Sequence, residues 1–251
     1  KMKKVMLFIP PESTIKDAKQ IGTKWPRIGS AYVAAYLRGK EAKVSILDCK
    51  VIERGMNNIA EAIKRFDPDI LASGPFTEEI LEAYNVFKLA KELKPEVINV
   101  IGGPHATALP EITLREFSLI DLVVYGEAEI TMVELAKLES KKDLHKIDGI
   151  VYRNGKEIIK NKPRLLIKNI DKLPYPAWDL FPLDAYKGVS SISSLEKTNN
   201  PVLELPMVSA RGCPFQCNFC FKTFGNGLRI RDPKNVVDEL EYNYNKYGIS
   251  H

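Results

Sequence analysis

Hydrophobic positions along residues 1–140 alternate between two periods. Val5-Met6-Leu7-Phe8-Ile9 is a short, unbroken apolar run, the pattern of a strand buried on both faces. A polar loop holding Pro10-Pro11 and Trp25-Pro26 follows, and Ile28 to Leu37 then carries Ile28, Tyr32, Ala35 and Tyr36 at helical spacing. Val44 to Leu47 predicts a second strand ended by Asp48. Ile59 to Phe66 predicts a helix with Ile59, Ala62, Ile63 and Phe66 on one face. Ile70-Leu71-Ala72 is a third strand, broken by Ser73-Gly74-Pro75. Glu78 to Leu93 is amphipathic and stops at Lys94-Pro95, because the residue before proline is pushed out of the helical region. Val97 to Ile101 runs into Gly102-Gly103-Pro104 as a fourth strand. Leu122 to Tyr125 is a fifth, followed by Gly126 and a helix from Ile130 to Leu138.

Strand and helix in alternation predict an α/β fold: a five-stranded parallel, Rossmann-like sheet in flavodoxin-like order over residues 1–140, with helices on both faces. Ligands of such sheets bind outside the carboxyl ends of the strands, so the loops after strands one, three, four and five are the ones to watch. Residues 141–204 read as a hairpin and a linker. Asn154-Gly155 between the apolar-rich Ile147–Arg153 and Lys156–Ile159 is a two-residue hairpin signal. Leu173-Pro174-Tyr175-Pro176-Ala177-Trp178 reads as ordered connector, and Ser190 to Asn200 as a mobile stretch. Residues 205–251 read as a strand from Leu205 to Ala210, a loop, and a helix from Val236 to Tyr247 behind Asp232-Pro233. That is the first strand–loop–helix unit of a barrel, and a complete barrel needs many more, so the chain is expected to be part of a longer protein.

Charge narrows the partners. A net charge of +5 comes from scattered lysines with no basic block or basic–aromatic interleaving, which argues against nucleic acid. No apolar run reaches the ~18 residues a membrane span needs, and no secretory signal is visible, so the expected location is cytoplasmic.

Three of the four cysteines change the picture most. Cys213, Cys217 and Cys220 follow the spacing C-x3-C-x2-C within one loop. Thiolates that close can converge on a single metal centre. Three ligands without a nearby fourth suit a four-iron cluster with one open iron, whereas structural zinc wants four. Cys49, alone at a strand end, reads as a small buried apolar residue.

The stretch Ser209-Ala210-Arg211-Gly212-Cys213-x3-Cys217-x2-Cys220, with Phe219 before the last cysteine, resembles the radical S-adenosylmethionine signature. The earlier chain resembles the cobalamin-binding domain that precedes it in the B12-dependent branch. The matching pieces are Pro26-x-Ile28-Gly29-Ser30, Asp48, Gly102-Gly103-Pro104-His105-Ala106-Thr107, Gly126-Glu127-Ala128-Glu129 and Leu173-Pro174-x-Pro176-Ala177-Trp178. The resemblance implies a 4Fe-4S cluster on the three cysteines and reductive cleavage of S-adenosylmethionine to a 5'-deoxyadenosyl radical. It also implies bound cobalamin, a small-molecule substrate and an external one-electron reductant of flavodoxin or ferredoxin type. Methyl transfer to an unactivated carbon or phosphorus is the commonest chemistry of the branch. Cyclisation or rearrangement, a degenerate N-terminal domain without corrinoid, and a non-enzymatic corrinoid or iron–sulfur carrier are the alternatives. Methylthiotransferases carry three further N-terminal cysteines, and this chain has only Cys49 there.

Residue by residue, Phe219 is either an S-adenosylmethionine contact or a core aromatic. Ser73, Gly102, Gly103, His105, Thr107, Gly126 and Glu127 are candidate cobalamin contacts at strand tips. For Gly102-Gly103 the competing reading is a tight turn, for Glu127 a helix cap, and Glu129 reads as surface charge in a first turn. Asp143-x-His145-x3-Gly149 mimics an axial-histidine element but is one residue too long and lies past the fifth helix. Pro10-Pro11-Glu12-Ser13, after strand one, holds no histidine either, so no histidine ligand to cobalt is expected from this chain.

Overall fold

The structure is a computed structural model that describes residues 2–11, 25–51, 55–188 and 203–249. The Ser190–Asn200 stretch lies outside the described residues, as does most of the loop after the first strand. Five strands, β1 (Val5–Ile9), β2 (Val44–Asp48), β3 (Ile70–Ser73), β4 (Ile98–Ile101) and β5 (Leu122–Val124), pair in parallel in the order β2-β1-β3-β4-β5. That is the flavodoxin-like order expected for this sheet. The strand order reverses around β1, so chain loops diverge to opposite faces there and leave a crevice at the carboxyl tips.

The hairpin does not stand apart from this sheet. Strands β6 (Ile150–Asn154) and β7 (Glu157–Lys160) continue it antiparallel from β5, giving seven strands in all. Helices α1 (Ile28–Arg38), α2 (Met56–Phe66), α3 (Ile80–Leu93), α4 (Gly103–Ala108), α5 (Pro110–Glu116) and α6 (Glu129–Lys137) cover both faces. Alternating side chains of each strand feed two cores, the reason the strands are apolar throughout. Met6, Phe8, Leu71, Ile101 and Val123 pack toward α2, α3 and α5. Val5, Leu7, Ala72, Val100 and Val124 pack toward α1 and α6. The connector is ordered, with Trp178 fully buried among Ile9, Ala31 and Phe181.

Two expectations need correction. The pair α4 and α5 fills the span between β4 and β5, where no helix is legible, because each is short and carries a proline in its first turn without a long apolar stripe. The strand expected over Leu205–Ala210 shrinks to β8 (Ala210–Arg211), which pairs antiparallel with β9 (Arg229–Ile230). These two short strands close the base of the cysteine loop. Helix α7 (Pro233–Tyr247) follows, capped by the Asp232 side chain and ended by Gly248 in the left-handed region.

Candidate functional site

A cavity of about 430 Å³ opens at the carboxyl tips of β1, β3, β4 and β5, between α1 and α6. Its floor is apolar, made by Leu7, Ala72, Val100, Val124 and Met132. Its rim includes Gly29, Ser73, Gly102, Gly103 and Gly126 from the strand-tip loops. Its far wall is the cysteine-loop segment, through Val208, Ala210, Arg211, Thr223 and Phe224. The sheet and the loop therefore share one ligand-sized space.

An ion network holds that wall in place. Arg211 Nη1 donates to Glu127 Oε1 at 3.0 Å and Nη2 to Glu129 Oε1 at 2.6 Å. Arg229 Nη1 donates to Glu127 Oε1 at 2.8 Å, and the Ile167 amide donates to Glu127 Oε2 at 2.7 Å. Glu127, Glu129 and Arg211 are each about 5 % exposed or less, so these three charges are paired out of water. Burial works against the Arg211 charge, and the Glu129 and Glu127 carboxylates outweigh it, holding the guanidinium above its ordinary pKa. Its guanidinium also lies between two rings, 5.1 Å from Tyr32 and 5.4 Å from Phe224. Burial, reinforced by Glu239, pushes the Tyr32 phenol up to about 12, so it stays neutral.

Sequence-predicted residues divide into three groups. Ser73, Gly102, Gly103, Gly126 and Glu127 line the cavity. Ser73 Oγ donates to the Phe8 carbonyl at 2.9 Å, so the hydroxyl is already engaged by β1. Gly103, at φ +75°, would set a Cβ 2.8 Å from the Gly74 backbone, so the protein's own packing requires glycine there. His105 and Thr107 do not line the cavity: His105 Nδ1 pairs with Thr77 Oγ1 at 3.1 Å, and Thr107 Oγ1 accepts from the Gly126 amide at 3.2 Å. Glu129 is buried, against the surface reading, because Arg211 reaches it.

The cysteines form the third group. Cys213 is half-buried, while Cys217 and Cys220 are exposed. Among the described residues no three His, Cys, Asp or Glu side chains converge where a metal would sit. Phe215, Phe219 and Phe221 of the same loop are exposed too, so loop packing does not gather the sulfurs. Phe219 is 89 % exposed. Sequence reasoning missed Arg229, whose role depends on a carboxylate about a hundred positions away.

Residues 17–136 match the B12 binding domain family. An uncharacterised methyltransferase of Pyrococcus horikoshii is 38% identical over 253 residues, covering 99% of this chain and 52% of the relative. An anaerobic magnesium-protoporphyrin IX monomethyl ester cyclase of Rubrivivax gelatinosus is 32% identical over 244 residues, covering 94% and 42%. A solved cobalamin-dependent S-adenosylmethionine radical enzyme superposes on the whole chain, and on 33% of its own, with TM-score 0.74 at 20% identity, a likeness of fold. The chain belongs to the B12-binding radical S-adenosylmethionine family. It spans about half the length of the curated relatives it matches.

The cavity fits what a B12-binding radical S-adenosylmethionine protein must hold. Gly29 and Gly126 line it, and a Cβ on either would meet nothing within 4 Å, so each leaves open a space that a side chain would enter. The donor set of the loop also suits an iron–sulfur cluster of this family. Three thiols stand on one loop, two of them solvent-facing, and none is tied into the core.

Proposed function

We propose that this chain is the corrinoid-binding and cluster-binding part of an enzyme that cleaves S-adenosylmethionine reductively and transfers a methyl group to an unactivated carbon or phosphorus centre. The observation that carries the reading is the shared cavity: strand-tip loops form one wall and Arg211, Thr223 and Phe224 of the cysteine loop form the other. When bound, the cluster with S-adenosylmethionine supplies a carbon radical, and cobalamin supplies a transferable methyl group.

The chain's own residues bind and orient. Leu7, Ala72, Val100, Val124 and Met132 give an apolar floor that excludes water, and Gly29 and Gly126 leave room for a bulky ligand. Cys213, Cys217 and Cys220 would hold the cluster, and Phe219 would contact S-adenosylmethionine. Arg211 orients the loop base and takes no part in proton transfer, because both carboxylates beside it are occupied with its charge. The substrate is a small molecule and the reductant an external flavodoxin- or ferredoxin-type donor. Cytoplasmic location suits reduced thiols, and no helix among the described residues is long and apolar enough to cross a membrane.

Anaerobic reconstitution of the full-length protein with iron, sulfide and hydroxocobalamin tests this. About one cluster and one corrinoid per chain is the expected result; zinc in place of iron, or no retained corrinoid, contradicts it. The cyclase relative at 32% identity favours a second reading, cyclisation without methyl transfer. A methylated product separates the first reading from the second.

A further inference from the structure

The ion network that docks the cysteine loop is also part of the cavity wall. Glu127 and Glu129 come from the loop after β5 and the first turn of α6, while Arg211 and Arg229 sit opposite each other in the β8–β9 ribbon. Two carboxylates face two guanidinium groups, so the cluster of charges balances. Glu127, Glu129 and Arg211 all line the cavity. Beyond this base the loop makes little use of the core: Phe215, Phe219, Phe221, Cys217 and Cys220 are exposed. Gly212 fixes the ribbon at the same point, since at φ +88° a Cβ there would stand 2.0 Å from the Gly227 carbonyl oxygen.

A ligand filling the cavity packs against Glu127, Glu129 and Arg211, the same side chains that hold the loop docked. Occupying the cavity therefore favours the docked loop over the undocked one. The docked loop in turn completes the wall that the ligand packs against.

We propose that the Glu127–Glu129–Arg211–Arg229 network couples corrinoid binding to docking of the cysteine loop, so that each cofactor strengthens binding of the other. The inference rests on the functional reading above, and Arg211 acts in it as a positioning residue. Linkage makes the factor equal in both directions, on the order of tenfold for a typical coupled pair of sites.

The test is the affinity of the full-length protein for hydroxocobalamin, measured anaerobically by absorbance before and after cluster assembly. Hydrogen exchange of residues 212–228 is followed on adding hydroxocobalamin alone. Wild type is expected to bind roughly tenfold more tightly with the cluster present, and the loop amides to exchange more slowly with corrinoid alone. In Glu129→Gln and Arg211→Lys both cofactors still bind at excess, but the affinity ratio falls to about one. An affinity ratio near one in wild type, or an unchanged ratio in both variants, overturns the coupling and leaves the functional reading standing. Failure to bind hydroxocobalamin with or without the cluster overturns both.

Discussion

Glu127 Oε1 and Arg211 Nη1 meet at 3.0 Å across 84 positions of chain, both buried, one at the tip of a sheet strand and the other two residues before the first cysteine. Leaving Arg211 and Arg229 facing one missing carboxylate uncovers buried charge. Glu127→Ala is therefore expected to cost about 3–5 kcal/mol in urea unfolding. A loss below about 1 kcal/mol, the scale of an exposed pair, would show the contact to be dispensable.

The cavity itself can be filled without touching its frame. Gly29 lies in the first turn of α1, has no neighbour within 4 Å of a would-be Cβ, and faces the open space. Gly29→Leu should leave the helix as stable or up to about 1 kcal/mol more so, since glycine is a poor helix former. Corrinoid retention should fall by roughly tenfold or more, the equivalent of 1.4 kcal/mol. A melting temperature held at wild type with undiminished retention would place the ligand elsewhere.

The ribbon under the cysteines depends on one backbone approach. Gly212→Ala forces a Cβ into the Gly227 carbonyl and a strained positive φ, a cost of about 1–3 kcal/mol at that point. Iron incorporation on reconstitution should drop sharply while the sheet's circular dichroism is retained. Normal iron content in this variant would show that ribbon geometry does not govern the loop.

His105 supplies a pH test. Burial lowers its pKa below the ordinary 6.5. Between that depressed value and 6.5 the unfolded chain binds more protons, so stability rises with pH there and is lost as pH falls through the window. His105→Gln should flatten the stability–pH slope just below 6.5 relative to wild type. Parallel slopes for the two proteins would mean the imidazole titrates alike folded and unfolded.

The sheet was legible because each strand carries its own local signature. Val5–Ile9 is apolar enough to be buried on both faces, and Asn154-Gly155 marks a turn within two residues. Connection rules acting on such units narrow the topologies to a handful, and the order β2-β1-β3-β4-β5 is one of them. Helices α4 and α5 escaped because Pro104 and Pro110 divide the segment into pieces too short to show a period. At the site, Gly126 and Glu127 were found from their place at a strand end. What they do was not legible: the partners of Glu127 are Arg211 and Arg229, and no local pattern ties position 127 to position 229. Glu129 was misread for the same reason, since a first-turn glutamate normally faces water unless a distant arginine covers it. His105 looked like a ligand contact from its neighbours in sequence, and Thr77 claims it in space.

The central claim is that one cavity brings a corrinoid up against the cysteine loop. Electron paramagnetic resonance of the full-length protein, carrying cobalt(II) cobalamin and a reduced cluster together, tests it most directly. Spin–spin broadening of both signals, abolished by Cys213→Ala and by Gly29→Leu, is the predicted result. Two unbroadened signals in the doubly loaded wild-type protein would contradict it.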